Sequence, residues 1–253
     1  VKSQVAIRLD RVCHRFARQL ALQEVGFEVP VGAFFALLGS NGAGKSTTVR
    51  LLSTLLEPQT GTIEVAGLDA RNNPHAIRRQ VGVVPDFPVL FDPLTIEENL
   101  TRLGALRGIP RSDVQDRIRE LVGALELESQ VQIAVDRLSH GTRKKAALAA
   151  AMLHAPQVLL LDEPFEGIDP IASATIRRIL DMLRARGVTV FLTSHVLTLV
   201  ESVASDVAIL DRGALKTCRP LPELLDDHGS LDAAFRDLVG AGSEVPALEW
   251  YAP

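Results

Sequence analysis

Several sites along the 253-residue chain carry side chains suited to phosphate chemistry. The first is Gly39-Ser40-Asn41-Gly42-Ala43-Gly44-Lys45-Ser46-Thr47. Within it Gly39, Gly44, Lys45 and Ser46 fit G-x-x-x-x-G-K-[ST], the phosphate-binding P-loop. Gly39, Gly42 and Gly44 let backbone N–H groups turn inward around an anion, because no Cβ blocks the φ/ψ this needs. A helix starting at Lys45 would add a fixed partial positive charge. Lys45 would reach the β- and γ-phosphates of a nucleoside triphosphate, and the Ser46 hydroxyl would ligate Mg²⁺. Hydrolysis needs more: a metal anchor and a group that orients water. Asp162, at the end of the apolar run Val158–Leu161, suits Mg²⁺ through its water shell. The adjacent Glu163 is free to act as general base or water-orienting group at the γ-phosphate. His195 could donate to that phosphate as charge develops on it. Each residue alone has an ordinary structural role open to it, since strand-end carboxylates often cap helices and a lone His is usually structural. Beside a P-loop they point together to triphosphate hydrolysis.

These residues need elements to hold them. Phe34 to Leu38 is an apolar run suited to a buried strand, and Val49, Leu52, Leu55 and Leu56 recur at helical spacing. The P-loop therefore sits on a strand-to-helix turn, with the helix expected over about Lys45–Leu56. Further strands are expected at Val5–Leu9, in the second half of Ala21–Val29, and at Gly61–Val65, Val81–Val84, Val158–Leu161 and Val188–Thr193. A hairpin is expected from Asp206–Leu210 and Gly213–Thr217. Helices are expected at Thr95–Gly108, which has a Thr cap and Glu97 and Glu98 in its first turn, and at Asp113–Leu125, Ser139–His154, Pro170–Arg186 and Leu231–Val239. The order gives an α/β fold: a P-loop NTPase core with a mainly parallel sheet, a small antiparallel β layer, and a helical lobe inserted over about 87–155. One domain spans 1–240, and 241–253 form a loosely held tail. Ligands of such sheets bind at the carboxyl ends of the strands. The P-loop, Pro85-Asp86, Asp162-Glu163 and Ser194-His195 are all expected at such ends.

Three other segments have open alternatives. Phe16, in the polar stretch Arg11–Gln19, could stack on a nucleotide base or pack in the core. Leu138-Ser139-His140-Gly141-Thr142 opens an alanine-rich helix, where Ser139 and Gly141 either offer a hydroxyl and backbone donors to an anion or form an ordinary N-cap. Arg143-Lys144-Lys145 is expected to be a solvated face.

Composition narrows the classes. Net charge is −4 with both signs interspersed, which gives no basic field for nucleic acid as main partner. The two cysteines, Cys13 and Cys218, fit neither a disulfide framework nor a metal site, so a reducing compartment is expected. No apolar run approaches the roughly 20 residues that span a bilayer, and the strand-like start suggests no signal peptide.

The ordered set GSNGAGKST, PD with LTIEENL, LSHGT, VLLLDEP, EGID and TSH resembles the nucleotide-binding subunit of an ABC transporter, over roughly Val5–Gly240. The resemblance implies two cassettes facing head to tail, each ATP lying between one P-loop and the other chain's LSHGT. Ser139 and Gly141 would then serve ATP in trans, Phe16 would stack on adenine, Glu163 would be the catalytic carboxylate and His195 the switch histidine. Glu166 to Asp169 would link the two sites. The helical lobe and the segment Asp86–Leu100 would receive a transmembrane permease on a separate chain, which places the protein at the cytoplasmic face of the cell membrane. Three residues depart from the family pattern. Asp86 stands where Gln is usual, offers Mg²⁺ a charged, shorter ligand, and is expected to make activity steeper in Mg²⁺. Thr142 replaces the Gln of the signature, and Glu166 replaces the Ser of the inter-site loop. The short single cassette and the LSHG form resemble ATPases of ABC-2-type exporters. A soluble clamp ATPase acting on ribosomes or nucleic acid is the alternative, but it usually carries two cassettes or a long coiled-coil insertion. An importer ATPase often adds a regulatory domain.

Overall fold

The computed structural model describes residues 5–17 and 19–240. The chain opens with β1 (Val5–Phe16) and β2 (Gln19–Pro30), an antiparallel pair. Next come β3 (Phe34–Gly39), α1 (Lys45–Leu52), β4 (Thr60–Val65) and the two-residue β5 (Leu68–Asp69). β1, β2, β4 and β5 make an antiparallel sheet in the order β2-β1-β4-β5. The chain then runs through α2 (Pro74–Gln80), β6 (Val81–Val84), α3 (Ile96–Leu106), α4 (Arg111–Ala124) and α5 (His140–Met152). β7 (Val158–Asp162), α6 (Pro170–Ala185), β8 (Thr189–Ser194) and α7 (Leu197–Val203) follow, and β9 (Asp206–Asp211), β10 (Ala214–Pro220), α8 (Leu221–His228) and α9 (Leu231–Val239) complete the described chain. The second sheet has the order β10-β9-β3-β8-β7-β6, parallel throughout except for the β9–β10 edge pair. The fold is thus α/β, with a mainly parallel sheet, a smaller antiparallel sheet and packed helices.

Strands buried on both faces alternate their side chains between two cores. Phe34, Ala36 and Leu38 of β3 face one core with Leu159, Leu161, Val190, Leu192 and residues of α3 to α9. Phe35 and Leu37 face the other, between the two sheets, with Leu160, Phe191 and the inner side of the antiparallel sheet. There Phe27, Phe35 and Phe191 stack, with neighbouring centroids 5.3 and 5.5 Å apart. Such ring pairs contribute roughly 0.5–1.5 kcal/mol beyond their buried area.

Several boundaries differ from expectation for local reasons. β1 continues to Phe16 instead of stopping at Leu9. Its register shifts between Leu9 and Val12, where Arg11 takes φ 47°, so Val12 and His14 still point inward. A bulge hides strand alternation in the sequence because it changes the phase of the period-two pattern. α1 ends at Leu52, not Leu56: Thr54 takes φ 59° and Leu55 is largely exposed. α2, α7 and α8, of seven or eight residues each, have too few turns for a periodicity to declare them. The expected tail 241–253 lies outside the described residues.

Candidate functional site

The P-loop leaves the carboxyl end of β3, the strand held between β8 and β9. Two of its glycines are required by close approach. A Cβ on Gly39 would lie 2.7 Å from Leu210 O and 2.8 Å from Ala43 Cβ, and one on Gly44, at φ 112°, would lie 2.6 Å from Ala21 O. The loop is therefore clamped between β9 and β2. Ala43 N–H donates to Ser40 O at 3.1 Å, and Gly213 N–H in the β9–β10 turn donates to Ala43 O at 3.0 Å. No side chain caps the N-terminus of α1 and its first turn carries no acid. Its N–H groups thus remain available to an anion, beside Ser40, Asn41 and Gly42, which are exposed, and Ser46 and Thr47, which are half-buried. Lys45 is buried; its Nζ donates to Gly39 O at 2.7 Å and lies 3.2 Å from Glu163 Oε1.

The carboxylates come from the neighbouring strands. Asp162 ends β7 and pairs with Thr193 of β8. Thr193 Oγ1 donates to Asp162 Oδ1 at 2.6 Å and accepts the Glu163 N–H at 3.0 Å, so one buried hydroxyl fixes both acidic residues. Glu163 takes φ 47°, a left-handed backbone that costs on the order of 1–2 kcal/mol in a non-glycine residue. Its carboxylate is pinned from two sides, by Lys45 on Oε1 and by His195 on Oε2. His195 supplies both its backbone N–H, at 3.2 Å, and Nδ1, at 3.0 Å. Asp86 is half-buried beyond the end of β6, and its carboxyl is pushed up, first by burial, then by the charge of Glu166, against the pull of Lys144. The sheet order β3-β8-β7-β6 brings the carboxyl ends of these strands to one edge, with Leu38 opposite Ser194, Thr193 opposite Asp162 and Leu161 opposite Val84.

The residues fit a Mg²⁺–triphosphate. The glycine cradle is one that a Cβ would fill, and the helix N-terminus is uncapped. Among the described residues the Ser46 hydroxyl and Asp162 Oδ2 make no hydrogen bond, leaving a hydroxyl and a carboxylate oxygen for a hard cation.

Other expected site residues lie apart. Phe16 ends β1, is 42% exposed, and sets its ring edge-on to His14 with centroids 4.7 Å apart. It is not a core residue. The same β1–β2 pair places Ala21 against Gly44, so this end of the antiparallel sheet borders the P-loop. Ser139 is the N-cap of α5, with Oγ accepting the Thr142 N–H at 3.2 Å. Gly141 packs against Asp169 and Ala172 at the start of α6. Among the described residues no hydrogen bond or ion pair joins Ser139 or Gly141 to the P-loop. In the first turn of α3, Asn99 is buried and gathers the loop before the helix, accepting from Phe91 N–H and donating to Phe91, Leu94 and Thr95 carbonyls. That loop leaves Phe87, Val89 and Phe91 exposed, the first two at 80% and 85%.

The expectation for Arg143-Lys144-Lys145 is overturned. Arg143 pairs with Asp92, Lys145 Nζ donates to Glu126 O at 3.0 Å, and Lys144 is buried at 2% exposure. Lys144 Nζ donates to Glu163 O at 2.6 Å and to Glu166 O at 2.9 Å. Three consecutive cations read as solvated because their partners, three of the four main-chain carbonyls, belong to loops far away in sequence. Thr193 was missed too; its place just before Ser194-His195, at the end of a buried strand, was the available signal.

Residues 22–166 match the protein family described as ABC transporter. The chain is 34% identical over 223 residues to BcrA, a bacitracin transport ATP-binding protein of Bacillus licheniformis, covering 88% of this chain and 70% of that protein. It is 35% identical over 249 residues to the Nod factor export ATP-binding protein I of Ralstonia nicotianae, covering 98% and 76%. A solved ATP binding subunit of an ABC transporter superposes with a TM-score of 0.85 at 30% identity, covering 92% of this chain and 99% of that one. A nucleotide-free ATP-binding cassette from an ABC transporter shares the fold at a TM-score of 0.81 and 20% identity, covering 95% and 100%.

Proposed function

This chain belongs to the ABC transporter family, as an ATP-binding subunit with ATPase activity, and on that premise we propose that it hydrolyses Mg²⁺–ATP on Glu163 to drive export through a separate membrane-spanning subunit. The carrying observation is the Glu163 carboxylate, buried at the end of β7 and held between Lys45 and His195.

Each residue's task follows from its place. The P-loop from Gly39 to Thr47 wraps the phosphates with N–H groups, and Lys45 exchanges its carbonyl partner Gly39 O for phosphate oxygens. Ser46 and Asp162 would hold Mg²⁺, Asp162 through the cation's water shell, with Asp86 adding its charge; the cation would supply charge neutralisation at the triphosphate. Glu163 orients the attacking water and takes its proton. His195, already hydrogen-bonded to Glu163, donates to the γ-phosphate as charge builds there. Phe16 stacks on adenine at the exposed end of β1. Ser139 and Gly141 face the nucleotide of a second ATP-binding subunit, which accounts for their separation from this chain's own P-loop.

Transport outward is favoured by the relatives, one a bacitracin transport protein and others Nod factor export proteins. No helix among the described residues is long and apolar enough to cross a membrane. The exposed Phe87, Val89 and Phe91 supply an apolar surface for a permease, and the subunit sits with it at the cytoplasmic face of the membrane. A ribosome or nucleic-acid clamp is not favoured by these relatives.

The test is to purify the tagged chain from native membranes in mild detergent and assay the preparation with and without Glu163→Gln. A stoichiometric polytopic protein should co-purify, and Glu163→Gln should keep ATP binding and lose turnover. Soluble partners alone, or undiminished hydrolysis by the variant, overturn the proposal.

A further inference from the structure

We propose that Lys144 is a positioning residue for hydrolysis: its buried ammonium, gripping the Glu163 and Glu166 carbonyls from α5, fixes the backbone turn that aims the Glu163 carboxylate. The inference rests on Glu163 being the catalytic carboxylate.

The geometry is specific. Glu163 leaves β7 with φ 47°, so its side-chain direction depends on a backbone state that its own residue type disfavours. Something must hold that state. From the strand side, Thr193 accepts the Glu163 N–H. From the helix side, Lys144 takes the Glu163 carbonyl at 2.6 Å and the Glu166 carbonyl at 2.9 Å, closing the turn between them. Within that turn Glu166 N–H donates to Glu163 O at 3.2 Å. A lysine with one fiftieth of its surface exposed is rare, because burying an ammonium costs several kcal/mol unless carbonyls or carboxylates replace its water. Here two carbonyls do so, and Asp86, Glu166, Glu163 and Asp162 all act on the charge. Val84, Leu148, Leu161, Pro164 and Ile176 line a small, mostly apolar cavity together with Lys144.

The same helix touches this loop at its start. A Cβ on Gly141 would lie 3.2 Å from Asp169 Oδ2, and one on Gly167 would lie 3.4 Å from the His140 ring. Ser139 and Lys144 are five residues apart, about 7.5 Å along a helix. The segment that meets a partner's nucleotide and the anchor of this chain's own carboxylate therefore ride on one short rigid piece. Lys144 touches no reacting atom; it acts through Glu163.

Lys144→Met keeps the stem and removes the donors. In the purified full chain assayed with Mg²⁺–ATP, it should lower kcat roughly 10- to 100-fold, the loss expected of a misplacement near 1 Å, and leave KM within about twofold. Lys144→Gln retains two N–H donors and should recover most of the loss. Lys144→Met turning over within about twofold of wild type overturns the proposal. So does a parallel collapse of ATP binding and kcat, or a Gln variant as poor as Met. Glu163→Gln assayed alongside separates the two inferences: if it hydrolyses ATP normally, the catalytic assignment fails first, whereas a dead Glu163→Gln with a normal Lys144→Met sinks only the role of Lys144.

Discussion

Two lysines are buried among the described residues, and they hold the two ends of the same glutamate, side chain and main chain. Lys45, in the first turn of α1, reaches Glu163 Oε1 while resting on Gly39 O. Lys144, in α5, holds Glu163 O and Glu166 O. The first sits at a loop mouth beside exposed Ser40 to Gly42, where a phosphate can displace its carbonyl partner. The second is closed in by apolar side chains and main chain, with no such exchange open to it. One ammonium is poised to trade partners and the other to keep them. On the proposed reading, substrate binding belongs to the first region and geometric precision to the second.

Removing the two cations should therefore damage different kinetic constants. Lys45→Met deletes charge-assisted contacts to phosphate worth roughly 1.5–3 kcal/mol, about 10- to 100-fold in ATP affinity. It also leaves Glu163 facing His195 alone. Fluorescent-nucleotide titration should show the weakened binding and the ATPase assay a loss of turnover. Lys144→Met should leave the titration unmoved. If both variants lose affinity equally, the two regions are not distinct.

The contrast also explains what the sequence could and could not disclose. The P-loop is legible because its chemistry is local: glycines, lysine and serine needed within one turn must be adjacent in sequence. Asp162, Glu163 and His195 are legible because buried apolar strands announce themselves, and parallel topology sends their carboxyl ends to one edge. Lys144 is illegible because its partners are carbonyls 19 and 22 residues away, and a carbonyl has no residue type. Phe16 was placed in a polar stretch because the bulge near Arg11 broke the strand's alternation. The short helices α2, α7 and α8 hold too few turns to show a period. Local chemistry and long regular elements can be read from the chain. Main-chain capping across loops cannot.

The far end of α5 offers a smaller contrast. His154, just past the helix, places Nε2 3.1 Å from Val81 O at the start of β6. Burial, aided by the charges of Arg107 and Arg117, pulls its pKa from 6.5 down to about 4. The folded state thus holds His154 neutral while the unfolded chain protonates it near 6.5. Between those values the unfolded state binds more protons, so stability is full above about pH 6.5 and falls as pH drops toward 4. A fully buried group moved this far would lose about 3 kcal/mol; the ring is only half-buried, so solvent screening cuts the loss to the order of 1–2 kcal/mol. Urea denaturation at pH 7.5, 6, 5 and 4 should show that slope, and His154→Gln should flatten it. An unchanged slope in the variant means that the α5 end is not anchored by a neutral imidazole.

Asp86 stands between the two regions and can be assigned to one of them by experiment. Its carboxylate is near enough to Lys144 to feel that cation, yet near enough to Asp162 and Glu163 to be raised by them. If it serves the Lys45 side, it reaches Mg²⁺ through water, and its charge adds attraction of about 1 kcal/mol at the screened distances involved. Asp86→Gln should then raise the Mg²⁺ concentration for half-maximal hydrolysis roughly two- to fivefold, with thermal stability nearly unchanged. If it serves the Lys144 side, it balances a buried ammonium, and its removal should lower the melting temperature without moving the Mg²⁺ curve. We expect the first outcome. Lys144 keeps its two carbonyl acceptors when Asp86 is removed, and Glu166, Glu163 and Asp162 still act on its charge, although Asp86 is the largest of these and burial outweighs them together. An unshifted Mg²⁺ dependence would reassign Asp86 to the buried lysine and leave Ser46 and Asp162 as the whole of the metal site.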